Sequence, residues 1–411
     1  MNNLLVAQSG GPTAAINSTL CGILTKAREL GFNNIYGARY GIKGLLKRDI
    51  LNLDVIKEKD IKTLQLTPAS VLGSCRYKLK DIEESEEEYE KTVEILREFN
   101  VGYIVYIGGN DSMDTVEKFS RYLKLKNIFD IKIVGAPKTI DNDLEKTDHC
   151  PGFGSAAKYV ATTFKELERD SAVYDIKAVT LVETMGRDAG WLTAASCLSR
   201  LNNCPGPSLI YCCEVPFSIE RFLGDVEEKL KEKPNVLVAV SEGLKDKDKR
   251  QILAKYNKEK QDMFGHSNNA GVAKFLEGVV KKNIGVKVRS VELNISQRAA
   301  VHVASLVDIL ESFKVGEKAV ELLKDGRSGL MVNIIRKGDE KYDVEYGFVE
   351  AFKVANRVKT LPKDFIKSDY SDVSEKALEY LKPLIRGEVS LEYVDGVPNF
   401  YILDKFNKQN C

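Results

Sequence analysis

An α/β fold of two Rossmann-like domains with mainly parallel sheets, followed by a C-terminal extension, is predicted by three observations. Over residues 1–150, short β-type runs alternate with segments of helical period. Several of these apolar runs end directly in a glycine-rich or ionic turn, and a second strand-and-helix series begins near residue 178. With 411 residues, 43% of them hydrophobic and 29% charged, the chain is long enough for two globular units with a sizeable core.

Taken in order, residues 4–7 read as a strand, and 15–30 as a helix with Ile16, Leu20, Ile23, Leu24 and Ala27 on one face. Residues 35–38 form another strand. The run 80–100 reads as an acid-rich helix that turns Val93, Leu96 and Phe99 inward and keeps 83–90 as a solvated face. Strands follow at 103–107 and 131–136, then at 178–182, 208–212 and 236–240. Residues 246–264 are mostly polar, a loop or surface helix; 299–323 reads as helical, and 374–382 as a further helix in the tail.

The formal net charge is +1, so no global field draws the chain to nucleic acid or to an anionic membrane, and an anion site must be local. Eight cysteines without CxxC pairs, and only three histidines, argue against a zinc site and for reduced thiols. The N-terminal apolar run is too short for a signal peptide and no segment approaches a membrane span, so the expected location is cytoplasmic.

The chemistry concentrates at strand ends, where ligands of open α/β sheets collect. Gln8-Ser9-Gly10-Gly11-Pro12-Thr13 joins a strand to a helix and can offer backbone N–H groups to a phosphate, although it is neither a Walker loop nor GxGxxG. Gly108-Gly109-Asn110-Asp111-Ser112 follows the next strand. Pro137-Lys138-Thr139-Ile140-Asp141-Asn142-Asp143 then supplies a cation and two carboxylates, the make-up of a phosphoryl-transfer site. In the second series, Arg187 and Glu242 stand at strand ends, where a guanidinium can take a phosphate and a carboxylate can take sugar hydroxyls.

These motifs, with Gly152-Phe153, Met185-Gly186-Arg187 and Ser241-Glu242, occur in the order and approximate spacing of the phosphofructokinases, and the chain resembles that family over roughly its first 330 residues. The resemblance implies a phosphofructokinase-like fold. Residues 1–150 with about 297–345 would bind the donor, 151–296 the sugar phosphate, and 346–411 would be an extension of unassigned role. It further implies that Asp141 is the base for the 1-hydroxyl of fructose 6-phosphate and that Asp143 organises Mg²⁺. Thr139, Ile140, Met185, Gly186, Arg187 and Glu242 would bind the sugar phosphate, and Gly11 the donor. Arg76 would neutralise the phosphates in flight, while Arg289 and Arg298 would grip the 6-phosphate, one of them from a neighbouring subunit of a homo-oligomer, dimer or tetramer.

Donor choice turns on Asp111 and Lys138, where ATP-using members commonly carry glycine. A carboxylate at 111 would repel the α-phosphate of ATP, and Lys138 would favour the leaving oxygens of pyrophosphate; the pair resembles the pyrophosphate-dependent branch. An ATP-dependent enzyme or a noncatalytic sugar phosphate-binding subunit are the alternatives. Two departures stand out. Asn110 replaces a magnesium-associated aspartate, leaving an amide oxygen for the metal and Asp111 to take part of that role, and Ile295 replaces a histidine before Gln297-Arg298.

Overall fold

The computed structural model describes residues 1–255, 271–338 and 342–403. Its strands in chain order are β1 (Asn3–Gln8), β2 (Ile35–Ala38), β3 (Ile50–Asn52), β4 (Val101–Gly108), β5 (Lys132–Pro137), β6 (Ala178–Thr184), β7 (Leu209–Tyr211), β8 (Asn235–Ser241), β9 (Lys287–Glu292), β10 (Leu330–Lys337), β11 (Asp343–Glu350), β12 (Tyr393–Val394) and β13 (Val397–Pro398). A seven-stranded sheet runs β11-β10-β5-β4-β1-β2-β3, parallel in its centre and antiparallel at both edges. The second sheet, β7-β8-β6-β9, is wholly parallel. The α/β reading therefore holds, and the chain leaves the first sheet at Glu350, which places 346–350 with that sheet.

Alternation explains why the central strands read as continuous apolar runs. Leu4, Val6 and Ile107 point into one core, while Leu5, Ala7, Ile104 and Tyr106 point into another on the opposite face. Both faces are covered, as parallel sheets require. In the second sheet, Val182 and Ala239 face one core and Val179, Leu181 and Val240 the other.

The helix Ile16–Glu29 crosses the helix Leu306–Lys324 at two glycines. A Cβ on Gly22 would lie 2.0 Å from the Phe313 carbonyl oxygen, and one on Gly316 would lie 2.1 Å from that of Thr19. Backbone-to-backbone approach of this kind needs glycine.

Several local expectations change. The acid-rich helix spans only Glu86–Glu98, and Tyr89, inside its supposedly solvated run, is fully buried with its hydroxyl donating to the Lys80 carbonyl. The expected helix over 299–323 is broken: a turn at Ser296–Ala299 and a 3₁₀ turn at Val301–Val303 precede Leu306–Lys324, whose start Ser305 caps by accepting from the Asp308 N–H at 3.4 Å. Part of the polar run 246–264 lies outside the described residues. Among the described residues seven cysteines are free thiols, and no helix is long and apolar enough to cross a membrane.

Beyond Glu350 the tail spans both halves. The helix Glu375–Leu381 and Phe365 pack on Trp191 of the second half, with Phe365 and Tyr380 at ring distances of 6.1 and 5.6 Å. The tail then returns, and the Tyr401 N–H donates to Thr67 Oγ1 at 2.8 Å.

Candidate active site

Three loops meet at the carboxyl ends of β1, β4 and β5. The Ser9 N–H donates to the Ile107 carbonyl at 2.9 Å and the Lys138 N–H to the Gly108 carbonyl at 2.9 Å, which sets the loops side by side. Gly10 adopts φ +77°, a left-handed turn that lets its N–H reach the Cys75 carbonyl at 3.3 Å and brings the Arg76 loop to the same edge.

Lys138 is 2% exposed and its ammonium donates to the Gly11 carbonyl at 2.6 Å. Burial lowers its pKa to about 8, against the opposing pull of Asp141 and Asp143. Asp141 lies at the mouth of the loop with its N–H on Thr139 Oγ1 at 3.1 Å. Burial, then the like charges of Asp143 and Glu242, raise its carboxyl to about 7, and the cations Arg187 and Lys138 pull it down. Burial likewise raises Asp143, which the Thr139 hydroxyl and the cations Lys359 and Lys138 counter. A base of raised pKa in a cleft matches proton abstraction from a hydroxyl near neutral pH.

Opposite, β6 and β8 end side by side. The Glu242 N–H donates to the Thr184 carbonyl at 3.1 Å, and Glu242 Oε1 accepts from the Gly186 N–H at 3.1 Å. Gly186 has φ +119°, and Ser241 Oγ donates to its carbonyl at 3.1 Å. Arg187 faces both Asp141 and Glu242 electrostatically, so the two sheets present one crevice. Buried Gln297, which the sequence did not single out, accepts the Met185 N–H at 3.2 Å. Its only signal was its place before Arg298.

Arg298 sits against the loop after β1: a Cβ on Gly11 would lie 3.2 Å from Arg298 Nη1. Burial and then the charge of Arg76 lower its pKa, while Asp141 raises it, so Arg76, Arg298 and Asp141 share one field. Arg289 is placed differently. It stands on the exposed edge strand β9 opposite Thr180, about 10 Å below the strand end at ~3.3 Å per residue, and pairs with Asp170 at 3.3 Å. It is turned to Asp170 and away from the crevice.

Asp111 is exposed in the first turn of the helix Asn110–Leu125. Asn110 has both amide atoms on the tail: Oδ1 accepts from the Asn356 N–H at 2.6 Å, and Nδ2 donates to the Arg357 carbonyl. Among the described residues no group of three His, Cys, Asp or Glu side chains could hold a metal by itself. Single carboxylates at Asp111 and Asp143 nevertheless suit Mg²⁺, which is commonly held by one or two carboxylates together with substrate phosphates.

The sequence profile of the family described as Phosphofructokinase matches residues 3–323. The chain belongs to the phosphofructokinase family. It is 38% identical over 405 residues to a Methylococcus capsulatus protein named pyrophosphate–fructose 6-phosphate 1-phosphotransferase, covering 98% of this chain and 96% of that one. A protein of the same name from Halomonas elongata is 38% identical over 408 residues, covering 98% and 96%. The crystal structure of a pyrophosphate-dependent phosphofructokinase from Nitrosospira multiformis superposes with a TM-score of 0.88 at 35% identity, covering 98% and 96%. The likeness to these phosphofructokinases thus extends into the tail beyond residue 323.

Proposed function

We propose that this phosphofructokinase transfers a phosphoryl group reversibly from pyrophosphate to the 1-hydroxyl of fructose 6-phosphate, giving fructose 1,6-bisphosphate and phosphate. The observation that carries the donor assignment is the buried Lys138 ammonium on the Gly11 carbonyl, a fixed positive charge at the donor loop where the reaction builds negative charge. The relatives' names, and their near-complete mutual coverage with this chain, support the same reading.

In this reading the half built on the seven-stranded sheet takes the donor and the other half the sugar phosphate. Gly11 binds the donor through its backbone, and exposed Asp111 repels the α-phosphate of a nucleotide. Asp141 removes the proton from the 1-hydroxyl; its raised pKa keeps the proton affinity near that demanded by the transfer. Lys138 and Arg76 surround the transferring group with positive charge, and Arg298, which the resemblance assigned to the 6-phosphate, joins them because it lies against Gly11 and shares the field of Arg76 and Asp141. Met185, Gly186, Arg187 and Glu242, with Thr139 and Ile140, orient the sugar, Arg187 by its fork and Glu242 by accepting hydroxyl protons. Arg289, at the exposed edge, reaches the 6-phosphate of a neighbouring subunit in a homo-oligomer.

Asp143, with Asp111, would hold Mg²⁺. When bound, the ion would neutralise charge on the phosphate oxygens.

The test is an assay of purified protein with fructose 6-phosphate and Mg²⁺, once with pyrophosphate and once with ATP. Turnover with pyrophosphate alone is expected; turnover with ATP alone would overturn the donor assignment.

A further inference from the structure

Asn110 is held in a way that only a carboxamide allows. Its Oδ1 accepts from the Asn356 N–H at 2.6 Å while its Nδ2 donates to the Arg357 carbonyl. Aspartate would satisfy the first bond and turn a second lone pair on the Arg357 carbonyl oxygen. The contact is reinforced around it: Asn356 Nδ2 donates to Asp114 Oδ1 at 2.8 Å, and Lys78 Nζ reaches Asn356 Oδ1 at 3.5 Å. Asn356 itself has φ +59°, a left-handed conformation that asparagine tolerates.

From this latch the chain runs across the catalytic loop. The Lys359 N–H donates to the Asp143 carbonyl at 2.7 Å. Its ammonium donates to the Asp148 carbonyl at 2.7 Å, the Thr147 carbonyl at 3.1 Å and Asn142 Oδ1 at 3.4 Å, and lies 5.1 Å from the Trp191 ring centre. Trp191 Nε1 donates to the Lys359 carbonyl at 3.1 Å. Two residues on, the Leu361 N–H donates at 2.9 Å to Glu214 Oε1, the oxygen that also takes the Gly190 N–H at 2.7 Å. Segment 356–361 thereby touches the donor loop, the loop of Asp141 and Asp143, and the sugar-binding half.

Residues 138–152 contain no helix or strand of their own, and Asn142, between the two carboxylates, has φ +54°. What orients this loop is therefore its partners, and Lys359 bonds it at four points. Burying the Lys359 ammonium is costly, which lowers its pKa, and the three oxygen acceptors with the indole face offset that cost.

We propose that segment 356–361 is a positioning strap for phosphoryl transfer, latched by Asn110, with Asn110 and Lys359 as positioning residues and Asn110 outside the metal's ligand set. This rests on the phosphotransferase reading above and gives the tail a role in it.

Asn110→Asp separates the two roles of that residue, because a metal ligand would gain from a carboxylate and a latch would lose its donor. The chain has one tryptophan, so Trp191 fluorescence reports strap docking without any assay. In Asn110→Asp, Trp191 emission should shift to the red with greater quenching by acrylamide, and kcat should fall about tenfold or more, with the KM for fructose 6-phosphate within about twofold. Lys359→Met, which keeps the stem over Trp191, should show the same split of kcat from KM, and Lys359→Arg should recover part of the kcat. Unchanged Trp191 emission in Asn110→Asp, or a lowered Mg²⁺ requirement with kcat retained, would overturn the proposal. A wild-type protein inactive with pyrophosphate would defeat the functional reading, while the fluorescence of Asn110→Asp would still decide the latch.

Discussion

Lys138 Nζ donates to the Gly11 carbonyl at 2.6 Å, joining the loop after β5 to the loop after β1. The bond keeps a cation in place before the donor arrives, so little reorganisation is left for the reaction. Lys138→Met preserves the side-chain volume and removes the charge. Its kcat with pyrophosphate should fall by about a hundredfold or more, while the KM for fructose 6-phosphate changes little. Steady-state kinetics with each substrate varied in turn checks this; a loss confined to the sugar KM would contradict it.

Exclusion of a nucleotide donor is expected to depend on Asp111 and Lys138 together. In Asp111→Gly with Lys138→Gly, pyrophosphate turnover should drop and the repulsion against a nucleotide α-phosphate should vanish. Paired assays with pyrophosphate and ATP read both effects. Undiminished pyrophosphate turnover in the double variant would remove the basis of the argument.

Asp141 is expected to act as the base, and burial, then its neighbours Asp143, Glu242, Arg187 and Lys138, set its proton affinity. Asp141→Ser should lower kcat by roughly a hundredfold to ten-thousandfold, with far smaller changes in substrate affinity. Single-turnover measurements alongside substrate titration separate the two, and wild-type turnover in the variant would refute the role.

Gly243 presses on the loop of Gly186 and Arg187. A Cβ there would lie 1.9 Å from the Arg187 carbonyl oxygen, and backbone at that distance must move. Gly243→Ala should therefore displace Arg187 together with Gly186, raising the KM for fructose 6-phosphate by about tenfold or more and the KM for pyrophosphate much less. Equal effects on both substrates would show that the displacement is not confined to the sugar side.

The parts of this fold that the sequence exposes are those whose physics repeats locally. β1, β4, β5, β6 and β8 are buried on both faces, so they read as apolar runs, and their loops carry the glycines and charges. β9 and β11 are edge strands with half-exposed patterns and lack that signature, and both were missed. The strap was illegible for another reason: its contacts run largely through main-chain atoms of Asn356, Arg357, Lys359 and Leu361, which leave no residue pattern. Tyr89 shows the opposite error, since a run of glutamates hid one buried ring whose hydroxyl has a backbone partner.

His149 links the loop 138–152 to the helix Leu306–Lys324 and predicts a pH dependence of stability. Its ring is buried, with Nδ1 2.8 Å from Asp148 Oδ1 and Nε2 2.5 Å from Glu311 Oε2. Arg336 also bonds Asp148 at 3.2 Å, and Tyr342 donates its hydroxyl to Glu311 Oε1 at 2.5 Å. Burial alone would lower the imidazole pKa, but the two carboxylates outweigh it and raise it from 6.5 to about 9. Because the folded value is the higher one, the folded state holds a proton that the unfolded state releases between these pH values. The stabilisation is thus complete below about pH 6.5 and lost as the pH rises through about 9, and a shift of this size is worth on the order of 3 kcal/mol. His149→Gln, which cannot carry the charge, should be markedly less stable than wild type at pH 6, with the difference narrowing by about pH 9.5. Urea unfolding of both proteins across that range measures the gap, and a gap independent of pH would mean that the ring is held neutral.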